Sequence, residues 1–520
     1  MNSDESAVPR IILNDDGSNF LYSWDELTAE DLRTYLRRLE GTQVDLVCWC
    51  VAFGGYVTYY QSEIAEPVGT GFAFTDRVKQ SRWARNRERL HHEVGDYVGF
   101  CIDTLAEMGI PALASFRMND AHMSSDPTGP VAGRFWMNHP EWRLGEPFGY
   151  YGSCLDYSVP AVREYLRRLV LEVLETFPQI AGVELDAMRS PFFFPEGQGR
   201  ERAPIMTDLV RRIRADLDEA AQRRGSGRYL LRVNVPRDPE LALETGLDVA
   251  GWVEDDLVDG ISPGCYGTDF QVPVEQWKAL LGRDAVVHPY CNCGRGTGQY
   301  HSLEEFRGAA ANGYGAGADG VYLFNFPCLD ELSGLIPRPL DAAAWPPPEF
   351  HAQGYHPDLT RSRRALREIG DPEAVRHQDK RFLFYTDPPK YRHFAPEVAT
   401  IQRLTGHPAE LAFRCYEDLE AAEQVRVELK LVGVTIRDQF RLALNGAEIS
   451  PERVQRLHAP NGRDLRIHYL PLEPFSQLSF EPRASEMQRG ENTLTVSLTE
   501  ADPALHGEIE VREMAVEVRY

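Results

Sequence analysis

The chain has 520 residues, 43% of them hydrophobic and 26% charged, which is ordinary for a globular protein and too long for one compact core, so two or three domains are expected. The formal net charge of −24 excludes the extended basic surfaces that nucleic acid and anionic membranes require. The nine cysteines show no zinc-finger spacing, and the pairs Cys48/Cys50 and Cys291/Cys293 read as small apolar side chains sharing one face of a strand.

The first six residues are polar and acidic with no apolar h-region, and no apolar run approaches a membrane span. A reduced, cytoplasmic enzyme without a membrane partner is the expectation. Short apolar runs then recur, most followed by a helical pattern. Residues 10–13 form the first, leading into Asn14-Asp15-Asp16-Gly17 and a helix over 29–40 with Thr28 as N-cap. Further strands are read over 45–51, 111–116, 183–186, 229–235, 259–262, 285–290 and 320–325. Helices are read over 94–108, 159–176, 204–224, 303–312 and 361–369. Eight strands in β/α alternation predict a (β/α)8 barrel over residues 8–370.

The pattern changes after Gly370. Only strands follow, over 381–385, 409–416, 424–431, 438–444, 464–470, 492–498 and 508–520, with Asn445-Gly446 as a hairpin turn. The expected second domain is a β-sandwich over 381–520, and its segment Arg489-Gly490-Glu491-Asn492-Thr493-Leu494-Thr495-Val496 resembles a strand entry of jelly-roll accessory domains in carbohydrate enzymes.

The most informative stretch is Gly182-Val183-Glu184-Leu185-Asp186-Ala187-Met188-Arg189. Strand alternation puts Glu184 and Asp186 on one face, and the strand breaks into Arg189-Ser190-Pro191 and three phenylalanines. A carboxylate at the C-terminal end of a barrel strand is where such folds keep their chemistry, which favours Asp186; the deeper Glu184 reads as a buried charge held by an arginine.

A family resemblance enters here. His139-Pro140-Glu141-Trp142, then Leu155-Asp156-Tyr157-Ser158-Val159-Pro160-Ala161-Val162-Arg163-Glu164-Tyr165, then the segment around Asp186, resemble in order the motifs of a group of glycoside-hydrolase TIM barrels. The resemblance implies glycosidic-bond hydrolysis with Asp186 as the catalytic carboxylate. The chain departs from the glycosidase clan that keeps a Glu nucleophile after strand seven, since its seventh run ends His288-Pro289-Tyr290-Cys291-Asn292.

Glycoside cleavage commonly uses two carboxyls, about 5–5.5 Å apart for retention and about 6.5–9.5 Å for inversion. Asp120, after strand three, is the favoured partner for Asp186, with Asp269, after strand six, close behind it and Asp16 a third choice; Asp120 equally suits an Asx-turn. Arg232 and Asn234 share one face of strand five, and Arg232 is expected to pair with Glu184. Arg117, Asn119, His122, Arg189, His288, Tyr290 and Asn325 sit at strand ends and suit sugar hydroxyls, as do Asn14, Asp16, Trp49, Glu184 and Tyr266. Loop aromatics suit stacking on sugar rings, though most should pack against one another. No phosphate or dinucleotide fingerprint occurs in context, and neither a cofactor nor a metal is expected. Two alternatives stay open: a metal-dependent sugar isomerase or epimerase, and a barrel that binds carbohydrate without cleaving it.

Overall fold

Eight strands form a ring: β1 Ile11–Asp15, β2 Val44–Phe53, β3 Ala112–Arg117, β4 Gly182–Asp186, β5 Leu230–Pro236, β6 Gly260–Gly264, β7 Tyr290–Asn292 and β8 Val321–Phe324. This computed structural model describes residues 8–18, 20–21, 26–53, 57–70, 78–124, 127–146, 148–264, 270–292, 294–295, 299–324, 326, 359–384, 399–404, 406–459, 474–483 and 485–520. The sheet order is β6-β5-β4-β3-β2-β1-β8-β7. Every pairing from β6 round to β8 is parallel. The ring closes where Ile261 bridges Val287, with His288 N–H donating to the Ile261 carbonyl at 3.0 Å. The (β/α)8 expectation holds.

The runs form strands because they are buried on both faces. All five residues of β1, β3's six and β4's five are buried, as a parallel sheet covered by helices requires. The helix after β1, Ala29–Arg37, begins where expected, with a capping box between Thr28 and Asp31. The seventh run differs from expectation. Regular strand is confined to Tyr290–Asn292, because Pro289 has no N–H and interrupts the ladder just before it.

The chain divides by packing into two compact units, residues 1–264, 273–290 and 319–366 in one, and residues 265–272, 291–318 and 367–520 in the other. The second unit contains two antiparallel sheets. One has the order Lys380–Phe384, Ile509–Arg519, Gln424–Val432, Phe475–Phe480, Gln455–Ala459; the other runs Ala409–Cys415, Gly490–Glu500, Gln439–Leu444, Ala447–Ile449. Alternate residues such as Leu411, Phe413, Val427, Leu429, Leu494 and Val496 fill one apolar core. Asn445 and Gly446 both adopt positive φ in the hairpin turn read from the sequence. The strands at Gln455–Ala459 and Phe475–Phe480 were not expected, and the expected strand over 464–470 lies outside the described residues.

Candidate active site

Alternation along the barrel strands sends polar side chains inward at two levels. At the lower level Glu184 of β4 is wholly buried. Its Oε1 accepts hydrogen bonds from Asn14 Nδ2 of β1 at 3.1 Å, from Ser115 Oγ of β3 at 2.7 Å and from the Tyr322 hydroxyl of β8 at 3.1 Å. Asn234 of β5 donates in turn to the Tyr322 oxygen at 2.7 Å. Glu184 Oε2 has no hydrogen-bond partner among the described residues. Burial, and then the charge of Asp186, push the Glu184 carboxyl up to about 7, against the opposing pull of Cys48, Ser115 and Tyr322.

Arg232 points inward as expected, but its partner differs. Its Nη2 lies 3.0 Å from His288 Nδ1 and 3.3 Å from the Ile261 carbonyl, and no ion pair joins it to Glu184 among the described residues. The guanidinium fits because residue 260 is glycine: a Cβ there would stand 2.2 Å from Arg232 Nη1. His288 Nε2 meets the Pro9 carbonyl at 2.7 Å, and burial, reinforced by Arg232, holds its ring well below the ordinary histidine value.

The upper level is built around Arg117 of β3. Its Nη1 donates to Asp120 Oδ2 at 3.0 Å, its Nη2 donates to Asp16 Oδ1, and its guanidinium lies 4.4 Å from the centre of the Phe53 ring. Asp120 also accepts from the His122 backbone N–H at 3.0 Å, contacts His122 Nδ1, and lies 3.7 Å from Arg189 Nε. Burial raises the Asp120 carboxyl, but His122, Arg117 and Arg189 together take it well below the usual carboxylate range. The His122 side chain is 38% exposed, where that of Asp120 is 1% exposed. The opening to solvent therefore lies at the imidazole.

Asp186 sits between the levels, with Arg117 and Asn234 as its strand neighbours. Its Oδ1 accepts from the Met188 N–H at 2.9 Å. Its Oδ2 is buried and has no hydrogen-bond partner among the described residues. Burial raises its affinity for a proton, while Arg117, the Met188 N–H, Arg189 and Asn234 act against that shift.

The structure thus brings together Asn14, Asp16, Arg117, Asp120, His122, Glu184, Asp186, Arg189, Arg232, Asn234 and His288. Tyr290 joins from β7, stacked on Tyr322 at 5.3 Å. Trp49 is elsewhere: it alternates with the inward Cys48 and Cys50, is fully buried, and lies 6.0 Å from Phe20. Asn119 holds loops, donating to the carbonyls of Leu155 at 3.0 Å and Phe192 at 2.8 Å and accepting from the Leu155 N–H. Tyr266, Asp269 and Asn325 lie outside the described residues. Sequence reasoning missed Ser115 and Tyr322. Both lie on the predicted strands, but nothing in a strand pattern tells an inward hydroxyl from an ordinary one.

The motif residues around the site hold its loops. Trp142 O accepts from Asp156 N–H at 2.8 Å, the Tyr157 hydroxyl donates to the Met118 carbonyl at 2.6 Å, and the His139 and Trp142 rings stack at 3.5 Å. Phe192 leans on Tyr151 at 4.4 Å and Phe193 meets Tyr157 edge-on at 5.3 Å, so these aromatics pack against each other as expected. Among the described residues no three His, Cys, Asp or Glu side chains are placed to hold a metal ion, and no helix is long and apolar enough to cross a membrane.

No protein-family model matches the chain, and no curated protein does. Among solved structures it is similar to a cycloisomaltooligosaccharide glucanotransferase of Paenibacillus sp. complexed with cycloisomaltoheptaose, at 9% identity and TM-score 0.34, over 99% of this chain and 58% of that one. It is similar to the alpha-L-fucosidase isoenzyme 2 of Paenibacillus thiaminolyticus, at 12% identity and TM-score 0.41, over 63% of this chain and 48% of that one. A third is the alpha-L-fucosidase GH29 of Bacteroides thetaiotaomicron, at 9% identity and TM-score 0.36, over 94% and 93% of the two chains. The chain spans about half the length of the first two. All three TM-scores are below 0.5.

Proposed function

We propose that this protein is a glycoside hydrolase in which Asp186 is the reacting carboxylate. One observation carries the reading: Asp186 stands at the C-terminal end of β4, and its buried Oδ2 has no hydrogen-bond partner among the described residues, in a polar setting where Glu184 Oε2, Asn14 Oδ1 and Asn234 Oδ1 are open as well. A buried oxygen left unsatisfied in a native fold marks a place where a ligand or water completes the network. The end of a barrel strand is where barrel enzymes place catalytic groups.

In this reading Asp186 either bonds to the sugar's anomeric carbon as the aglycone oxygen leaves, or takes the proton of the water that attacks that carbon. Asp120 is held ionised by Arg117, His122 and Arg189, so it suits positioning better than proton donation, and it fixes His122 at the mouth of the site. Asp269, the other carboxyl the sequence offered as a partner for Asp186, lies outside the described residues. The substrate is a small or oligomeric glycoside.

The test is turnover of a panel of aryl glycosides by the wild-type protein and by Asp186→Asn. The variant is expected to keep its melting temperature and to lose kcat/KM by roughly 10²–10⁴-fold on any substrate the wild type cleaves. Undiminished turnover by the variant sinks the assignment. Sugar binding without cleavage of any panel member, seen by calorimetry, replaces it with the carbohydrate-binding reading.

A further inference from the structure

Glu184 and Asp186 stand two residues apart on one face of β4, and each keeps one buried oxygen without a hydrogen-bond donor among the described residues: Oε2 of Glu184 and Oδ2 of Asp186. Their other oxygens are supplied from the protein, Glu184 Oε1 by Asn14, Ser115 and Tyr322, and Asp186 Oδ1 by the Met188 N–H. Two carboxylates side by side in a buried site do not both ionise without cost. The placement of the cations decides how many do. Four carboxyls lie in the two levels, Asp16, Asp120, Glu184 and Asp186, with three guanidiniums, Arg117, Arg189 and Arg232, and the His122 imidazole. Arg117, Arg189 and His122 are engaged by Asp16 and Asp120, and Arg232 lies against His288. Among the described residues none of them forms an ion pair with Glu184.

We infer that the pair holds one proton on the acid side of neutrality, that it resides on Glu184 Oε2, and that Glu184 is a positioning residue whose protonation leaves the negative charge on Asp186. This deepens the proposed function and rests on its assignment of Asp186. The choice of Glu184 over Asp186 follows from surroundings. Asp186 has Arg117 beside it on β3, Arg189 beyond the strand end and a backbone N–H on Oδ1, all of which favour its charged form. Glu184 is surrounded by Cys48 on β2, Ser115 on β3, Asp186 on its own strand, Arg232 on β5 and Tyr322 on β8. Arg232 is the cation of that set, and it is directed at His288 of β7. The burial-raised affinity of Glu184 agrees with this placement. The two groups titrate as a coupled pair, so the midpoint observed belongs to the pair.

The test reads the proton without turnover. Infrared difference spectra of the full-length protein are recorded between pH 5.5 and 8.5, following the carbonyl stretch of protonated carboxyl groups. The wild type is expected to lose one buried carboxyl band with a midpoint about 7, and Glu184→Gln is expected to lack that band. Tyr322→Phe removes one donor to Glu184 Oε1, so its midpoint should rise by about one pH unit. No band in the wild type, a band unchanged in Glu184→Gln, or a midpoint unmoved by Tyr322→Phe overturns the inference. Should Glu184→Gln fail to fold, the Tyr322→Phe midpoint decides. Failure of the hydrolase reading shows separately, as turnover that survives Asp186→Asn while the band behaves as stated.

Discussion

Arg117 Nη1 donates to Asp120 Oδ2 at 3.0 Å, three residues along the chain, and both side chains are almost wholly buried. The same guanidinium also holds Asp16, so one cation organises two carboxylates contributed by loops that follow different strands. Removing it leaves buried charge behind.

Arg117→Met is therefore expected to destabilise the protein by about 3–5 kcal/mol, the cost of breaking a buried pair from one side. The measurement is the urea midpoint at neutral pH. A loss under about 1 kcal/mol would place the pair in the class of screened surface bridges and contradict its burial.

Asp120 and Glu184 should give opposite dependences on pH. The Asp120 carboxyl is depressed in the folded protein, so the stability it contributes is present above the ordinary aspartate value and lost as pH falls through its folded value. Glu184 is raised, from 4.5 to about 7. Its stabilising contribution is full below the unfolded value and declines as pH climbs through about 7. The decline amounts to about 3 kcal/mol. Urea unfolding of wild type and Glu184→Gln between pH 4 and 8.5 should show the variant gaining on the wild type across that window; parallel curves would refute it.

Two glycines on β6 give a graded comparison. A Cβ at residue 264 would stand 2.1 Å from Tyr290 Cβ, close to the backbone and unable to yield. A Cβ at residue 260 meets Arg232 Nη1, the far end of a longer side chain. Both Ala variants should lose stability, Gly264→Ala by at least about 3 kcal/mol and Gly260→Ala by about 1–2 kcal/mol, with thermal melts as readout. Equal losses would mean the strands are not as close as they stand.

In the second unit, Asn445 occupies the left-handed region at φ 51° and donates from Nδ2 to the Glu486 carbonyl at 2.9 Å. Asn445→Ala should cost about 1–2 kcal/mol, from backbone strain and the lost hydrogen bonds. Asn445→Gly, which relieves the strain but not the bonds, should cost less. Reversal of that order in equilibrium unfolding would remove the turn from the account.

The barrel and the sandwich were legible because their signals are local. Apolar runs with β/α spacing, the Thr28 cap and the Asn445-Gly446 turn each follow from the conformational preferences of neighbouring residues. Asp186 was legible for the same reason, as an acidic residue at a strand end. Local pattern could not choose partners across the ring. It set Arg232 against Glu184 because their strands are adjacent, whereas the folded side chain turns to His288 two strands away. It drew Trp49 toward the site, where alternation sends Cys48 and Cys50 inward and Trp49 out against Phe20. It passed over Ser115 and Tyr322, whose hydroxyls matter only because closing the ring brings β3 and β8 to Glu184. Strand identity is a property of consecutive residues and was decided by the sequence itself. Which carboxyl is paired, which is protonated and which is left open depends on distances between residues far apart in the chain, and only the closed barrel sets those.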